Sequence, residues 1–473
     1  MQLDFVAISC LLVIAAVIGT AVASRFWKDP LAGLYLWVLL LPVTKTITSF
    51  MGYDAGEGPA VLRKLTLADP VLLFTLVASA FASRPGSTIP DAQSRRIVWL
   101  FAGFCGVGFL SALRGEAGLD GLIELSTYIW LLVSLLLLCH LVRSEAVLRQ
   151  VLATWWWATV VACVGTTIGV LLLASGRTEG FFLVGGRVDG FFEAPNQVQS
   201  FMIASTPLLC TTAFRRGAPT GRRLIDGLLI VLAFAGVLGS GSRGGIVWEA
   251  VGIWLALMIS NRRLAITATV LAVVLAGSAW QVVQQYQDDL PFALRRVFSL
   301  FETDSLDLRE LSHGRADQLL TWKTVFAENP LIGVGPGSFR YNIPRLVPGG
   351  KAQEMHNSYL SILAETGLVG AFLMFGLIGI VLARAAALFR AMLRQNDPER
   401  RAIALTLLIS FFSLLCYGTV NYGMRQRYFW FVVALLITIP PLYVPRFARS
   451  RFVRAAAPRL RANPAPAGSR GMS

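Results

Sequence analysis

His356-Asn357-Ser358-Tyr359-Leu360 places an imidazole where a polar stretch of the chain gives way to a long apolar one. An imidazole titrates near neutral pH, so it can take a proton from a hydroxyl group. Three arginines stand in equally unusual company. Arg243 lies in the turn Gly239-Ser240-Gly241-Ser242-Arg243-Gly244-Gly245 between two apolar runs, where a charge near membrane depth costs a few kcal/mol unless it is compensated. Arg187 follows Gly185-Gly186 and precedes Asp189, Glu193 and Pro195-Asn196. Arg315 opens a stretch in which Leu319, Trp322 and Phe326 recur at helical spacing up to Pro330. A guanidinium is always charged and grips phosphate through two parallel hydrogen bonds. A base and several such cations together could move a proton beside a held anion. Each residue also has a plainer reading: a helix cap at a membrane edge, a snorkelling arginine, an exposed salt bridge and a solvated helix face.

The elements that position these residues are set by composition. The 473 residues are 55% hydrophobic and only 15% charged, with a mean hydropathy of +0.63. A soluble domain carries about 25% charged residues, so the chain reads as an all-α polytopic membrane protein. Apolar runs fall near 4–23, 31–50, 69–83, 97–112, 121–141, 150–174, 197–214, 224–240, 245–259, 263–280, 357–388, 402–419 and 428–445, which predicts about 12–13 transmembrane helices. The first run lacks a basic leader and reads as a retained span. The segmentation is an N-terminal bundle over 1–280, a polar segment over 281–355, C-terminal helices over 356–445 and a basic tail over 446–473. Cys10, Cys105, Cys139, Cys163, Cys210 and Cys416 all lie in apolar runs without a CxxC pair, which fits packing thiols and neither disulfides nor a metal site.

The net charge of +15 is scattered between spans and reads as a topology signal, with no nucleic-acid footprint. Basic residues mark alternate loops: Arg25/Lys28, Arg95/Arg96, Arg143/Arg149, Arg222/Arg223, Arg262/Arg263 and Arg384 to Arg401. The positive-inside rule makes these cytoplasmic and sends Arg187, Arg243, Arg315, His356, Arg425 and Arg427 to the opposite face together. Along a continuous helix, Gly367 and Gly370 fall beneath His356, where small residues let a neighbouring helix pass close. Glu365 falls on the other face, a poor partner for the imidazole. The run Gly333-Val334-Gly335-Pro336-Gly337 lacks the Lys-Ser/Thr of a Walker loop and is expected to turn the chain back over the bundle. His313 and His140 read as a helix-start residue and a membrane-edge residue.

Arg187 before Pro195-Asn196, Ser242-Arg243-Gly244, Arg315 with Trp322 leading to Gly333-Val334-Gly335, and His356-Asn357-Ser358-Tyr359-Leu360 with Glu365, Gly367 and Gly370 resemble the O-antigen ligase and Wzy-type polysaccharide polymerase family. The likeness spans roughly residues 180 to 430; over the first five spans it is one of topology only. It implies a GT-C-like helical fold in the bacterial inner membrane and an undecaprenyl-diphosphate-linked glycan as donor. Arg187, Arg243 and Arg315 would hold the diphosphate, Asn357 would contact substrate, and His356 would activate the acceptor on the periplasmic side. The acceptor would be another glycan, a lipid A core sugar or a protein hydroxyl. The arginines already bring the charge a cation would supply, so neither metal nor cofactor is expected. A flippase or transporter is the rival class, but it would show inverted repeats and polar residues at the midplane, and neither is evident.

Overall fold

A computed structural model describes residues 24–50, 65–82, 91–214, 218–286, 292, 293, 295, 315–347, 352–394 and 397–444. The first apolar run, His313 and the tail lie outside them. Every other predicted span is helical: α1 (Pro30–Leu39), α2 (Ala68–Ala82), α3 (Ala92–Ala112), α4 (Leu119–Leu141), α5 (Glu145–Ala174), α6 (Pro195–Ala213), α7 (Thr220–Gly239), α8 (Arg243–Ser260) and α9 (Arg262–Tyr286). After the short α10 (Arg315–Glu328) and α11 (Phe339–Leu346) come α12 (Ser358–Leu393), α13 (Pro398–Tyr417) and α14 (Arg427–Tyr443). Among the described residues α3, α4, α5, α8, α12 and α13 are long and apolar enough to cross a membrane by themselves. The remainder fall short for visible reasons: α1 and α14 are brief, and α7 opens on Arg222, Arg223 and Asp226. A two-stranded ribbon, β1 (Leu183–Val184) with β2 (Arg187–Val188), is the one named sheet among these residues.

Burial sorts the helices. In α14 every residue from Tyr428 to Pro440 is buried, and α6 is buried almost throughout, so these two form the centre. Aromatic rings fix the packing around them: Phe101 stacks on Trp430 at 4.0 Å, and Trp155 meets Phe431 edge-on at 4.9 Å. Ion pairs hold one end of the bundle. Arg149 and Arg400 share Glu145, at 2.9 and 2.7 Å, which ties α5 to α13. Buried Arg384 of α12 pairs with Asp91 at 2.9 Å and donates to the Ile437 carbonyl at 2.9 Å, so one guanidinium joins α3, α12 and α14. The basic residues of the α4–α5 and α12–α13 loops thus share one end.

The other end is built on interrupted helices. At Gly367 the backbone of α12 takes φ 64° and ψ −167°, which breaks the helix. The stretch 330–335 fills the break. Val334 and Gly335 amides donate to the Ala364 and Glu365 carbonyls at 3.0 and 2.9 Å, and Leu368 and Val369 donate to Pro330 and Leu331 at 2.8 and 3.0 Å. The backbones approach so closely that a Cβ on Gly333 would sit 2.4 Å from the Glu365 carbonyl carbon, and one on Gly367 2.3 Å from that of Leu331. This corrects the expectation of a neighbouring helix passing over Gly367 and Gly370. The approaching element is a loop, and the nearest atom to a Cβ on Gly370 is its own helix's Thr366 hydroxyl at 2.2 Å. The glycine-rich run does turn back over the bundle, as expected, and in doing so restores the hydrogen bonds that the break releases.

Gly333→Ala therefore combines a positive φ with a clash against backbone and should lower stability by about 2 kcal/mol or more. Gly379→Ala, within α12 and with nothing within 4 Å of its Cβ, should be neutral or slightly stabilising. Thermal midpoints in detergent check both; equal midpoints for the two variants would show that the clip is not rigid.

Candidate active site

The turn between α13 and α14, Gly418 to Gln426, meets the starts of α12 and α8, where His356, Asn357 and Arg243 lie. On one side it meets α12. The Ser358 amide donates to the Gly418 carbonyl at 2.8 Å, the Ser358 hydroxyl to the Asn421 carbonyl at 2.8 Å, and the Asn357 Nδ2 to the Thr419 carbonyl at 2.9 Å. The Asn357 Oδ1 accepts from the Tyr359 and Leu360 amides at 3.0 Å each, a cap on α12. The side chain predicted to bind substrate thus has both ends engaged in fixing the start of α12 beneath its neighbour His356.

On its other side the same turn meets α8. A Cβ on Gly244 would come within 2.6 Å of Val420, and one on Gly245 within 2.0 Å of the Gln199 Oε1, so glycine alone lets the start of α8, where Arg243 sits, lie this close. Gln199 of α6 donates to the Ser240 hydroxyl at 2.5 Å and accepts from the Tyr417 hydroxyl at 2.8 Å. Arg187 enters from β2: its Nε donates to the Ser240 carbonyl at 2.6 Å and an Nη to Asn196 Oδ1 at 3.2 Å. Arg187 and the Arg243 turn are therefore one assembly, and the Pro195-Asn196 step after Arg187 is part of it.

His356 is held through both its backbone and its ring. Its backbone amide donates to Gln318 Oε1 at 3.1 Å, while Gln318 Nε2 donates to the Glu354 carbonyl at 3.0 Å. Its ring stacks on Tyr422 with centroids 5.5 Å apart and planes at 26°. Gln318 lies one turn into α10, which Arg315 begins, so the backbone of Arg315 is brought to the same corner. Trp322 stacks on Phe326 at 5.5 Å and packs with Val325, Phe339, Met355 and Ala364, which pins α10 against α12.

Several residues of this corner were not anticipated. Arg425 pairs with Glu354 at 2.8 Å and with Glu124 of α4, and Arg340 approaches Glu354 at 3.6 Å. Burial holds the Tyr422 hydroxyl protonated, well above its ordinary range. Glu365 is buried, takes a hydrogen bond from the Gly337 amide and lies within the field of Arg425. Arg427 likewise pairs with Asp69 at 3.0 Å, and Asp69 also accepts from the Trp130 indole at 2.7 Å. Arg425 and Arg427, grouped by topology with the arginines expected to hold an anion, thus serve as braces between α4, α2 and the last turn. A lone glutamate inside the run 121–141 was the available signal for Glu124, because an ionisable group in a span demands a partner.

Asp189 shows a second departure. It pairs at 2.8 Å with Lys45, 144 positions away, rather than with its neighbour Arg187. Among the described residues no group of three His, Cys, Asp or Glu is arranged to hold a metal ion.

Residues 228–375 match the sequence model of the O-antigen ligase family. Over that stretch the chain is similar to the O-antigen ligase family. That match takes in Arg243, Arg315, His356 and Asn357, while Arg187 and the Gly418–Gln426 turn lie outside it. With six helices among the described residues long and apolar enough to cross a membrane, the chain is a multi-pass membrane protein. No curated protein matches the chain. A solved structure titled "Structural coordination of polymerization and crosslinking by a peptidoglycan synthase complex" contains a chain that is 17% identical, with a TM-score of 0.38, over 76% of this chain and 98% of that one. At that distance the fold rests on this chain's own helices.

Burial lifts the Asp189 carboxyl from 3.8 to about 6, against the pull of Lys45. The folded chain then takes up this proton at higher pH than the unfolded chain does. Stability at this group therefore falls as pH rises from 3.8 to about 6 and is level above that. Asp189→Asn removes the slope, so the variant's thermal midpoint should gain on the wild type's across that window and keep a constant offset at higher pH. A constant offset over the whole range would refute the shift.

Proposed function

We propose that the chain is a glycan transferase of the bacterial inner membrane that moves a glycan from an undecaprenyl-diphosphate donor to an acceptor hydroxyl on the periplasmic side, as an O-antigen ligase or as an O-antigen or exopolysaccharide polymerase. The observation that carries this reading is the shared turn: Gly418–Gln426 touches the start of α8, with Arg243, and the start of α12, with His356. A base and a phosphate-gripping cation are what such a transfer needs at one place. His356 takes the proton of the acceptor hydroxyl as its oxygen bonds to the anomeric carbon. The bond from that carbon to the diphosphate oxygen breaks, and the electron pair leaves with the diphosphate. A diphosphate is a stable anion, so its departure calls for positive charge rather than a general acid. Arg243 and Arg187 supply that charge, and Arg315 adds to it from the start of α10. Attack opposite the leaving group inverts the anomeric centre. The basic loops gathered at the far end favour a cytoplasmic placement for that end and a periplasmic one for the site.

His356→Ala and His356→Asn should both cut transfer by about 10²- to 10⁴-fold in a purified, donor-supplied assay, because neither side chain can take the proton. Thermal midpoints should stay near wild type, since the bond from the backbone amide to Gln318 survives both substitutions. Wild-type product levels from either variant would remove the general-base role. Arg243→Lys should lose about ten-fold or more in turnover although it keeps the charge, because lysine cannot reproduce the planar two-point grip. Full activity with lysine would reduce Arg243 to a diffuse charge. In a knockout strain, capped core without O-chain identifies a ligase, and single repeat units identify a polymerase.

A further inference from the structure

We infer that a cleft between the far ends of α5, α6, α7 and α13 holds a membrane phospholipid, its phosphate gripped by Arg222. The cleft is independent of the transfer reading, because it lies at the opposite end of the bundle from Arg243 and His356. Along α7 the rise from Arg222 to Ser240 is about 27 Å at 1.5 Å per residue. The cleft has a volume of about 650 Å³. Arg149, Arg222 and Glu399 line its mouth, each within the first two turns of its helix.

Arg222 is set up to take an anion. Its Nε donates to Asp226 at 2.9 Å, and its guanidinium carbon lies 4.3 Å from the centre of the Trp156 ring. Asp226 is itself fixed: it is fully buried and accepts from the Trp156 indole at 2.7 Å and the Thr212 hydroxyl at 2.8 Å. One hydrogen bond and one stacked face thus hold the guanidinium plane. Among the described residues Arg222 donates through Nε alone, which leaves both Nη groups for a ligand, and its side chain is 40% exposed. Two parallel N–H donors on a fixed plane match the oxygens of a phosphate. Arg149 does not compete for this role. One of its Nη groups meets Glu145 at 2.9 Å and the other Glu399 at 3.0 Å, which also neutralises the acid at the mouth.

Below its mouth the cleft is apolar. Its wall on α5 runs from Arg149 through Leu152 and Ala153 to Trp157, about 12 Å along the helix, with Ile225 and Ile403 facing it. The threonines that also line it are engaged within the protein, Thr211 with the Leu208 carbonyl and Thr406, and Thr212 with Asp226. Trp157 and Ile225 stay 57% and 50% exposed, so the cleft opens sideways to the surrounding lipid. A free phosphate would fill only the mouth, and a purely apolar guest would leave Arg222 unmet. A charged head at the helix ends with an apolar chain below it is the form of a phospholipid, and the basic loops gathered at this end raise the attraction for its phosphate.

The experiment uses the full-length, delipidated protein in detergent and three additives that dissect one lipid. They are dioleoylphosphatidylglycerol, dioleoylglycerol, which lacks the phosphate, and glycerol phosphate, which lacks the chains. Only the whole lipid should raise the thermal midpoint of the wild type. The concentration giving half of that rise should increase about ten-fold in Arg222→Gln, which loses a charge-assisted grip. It should increase at least about five-fold in Ala153→Trp, which keeps Arg222 and fills the apolar wall. Arg223→Gln removes the same charge from an exposed neighbour outside the cleft and should respond as the wild type does. Reading the response to lipid, rather than the starting midpoint, separates binding from any loss of stability in the variants. No rise with the whole lipid would overturn the assignment, as would an equal rise with dioleoylglycerol. An equal rise with glycerol phosphate would reduce the cleft to an ion site, and an equal weakening in Arg223→Gln would reduce it to the charge of the whole face; either result overturns it too.

Discussion

Inside a bilayer no water is available to satisfy a backbone that leaves its helix, so each break must find its partners within the protein. The turn after α13 obeys this constraint by hydrogen-bonding to α12: the Gly418, Thr419 and Asn421 carbonyls are taken by Ser358 and Asn357, and the Met424 amide reaches the Ser358 hydroxyl at 3.3 Å. Those bonds also fix where α12 starts, and hence where His356 stands. Because Val420 of the same turn packs against Gly244, satisfying one backbone places the imidazole and Arg243 on opposite flanks of a single rigid piece. The break at Gly367 repeats the device one layer deeper, with the loop 330–335 as the donor of replacement bonds.

Charges within the bundle follow the same economy. Arg384 with Asp91, Lys45 with Asp189, Arg425 with Glu124 and Glu354, and Arg427 with Asp69 are pairs in which a buried ion would be costly if either partner were lost. Each joins segments that are distant in sequence, so the pairs act as registration points for the packing. Arg187 joins segments in the same way through hydrogen bonds, to the Ser240 carbonyl and to Asn196 Oδ1, and so ties β2 to the starts of α6 and α8.

The spans were legible because hydropathy in lipid is a local property: run after run became a helix with its ends shifted by a few residues. The grouping of Arg187, Arg243 and His356 was also legible, since the alternation of basic loops orders the ends of helices before any contact is known. What escaped depended on partners far along the chain. Nothing near Gly367 announces a broken helix, because the break exists only when residues 330–335 are docked into it. Asp189 looked paired to its neighbour because Lys45, 144 positions away, could not be placed. Glu124 was visible as a lone acid in a span, but its partner Arg425 is 301 positions distant.

The start of α8 and its lower part are packed in opposite ways. The starts of α8 and α12 are locked by hydrogen bonds and by glycines that admit no side chain. Lower down, Ala250, Trp254 and Leu257 of α8 face an apolar groove that α7 and α9 leave open. One helix is thus fixed at the end where Arg243 sits and loosely covered below it. Under the transfer proposed above, that contrast suits a lipid-linked donor: its reacting head must be held to within about an ångström, while its apolar part reaches the protein from the bilayer rather than through water.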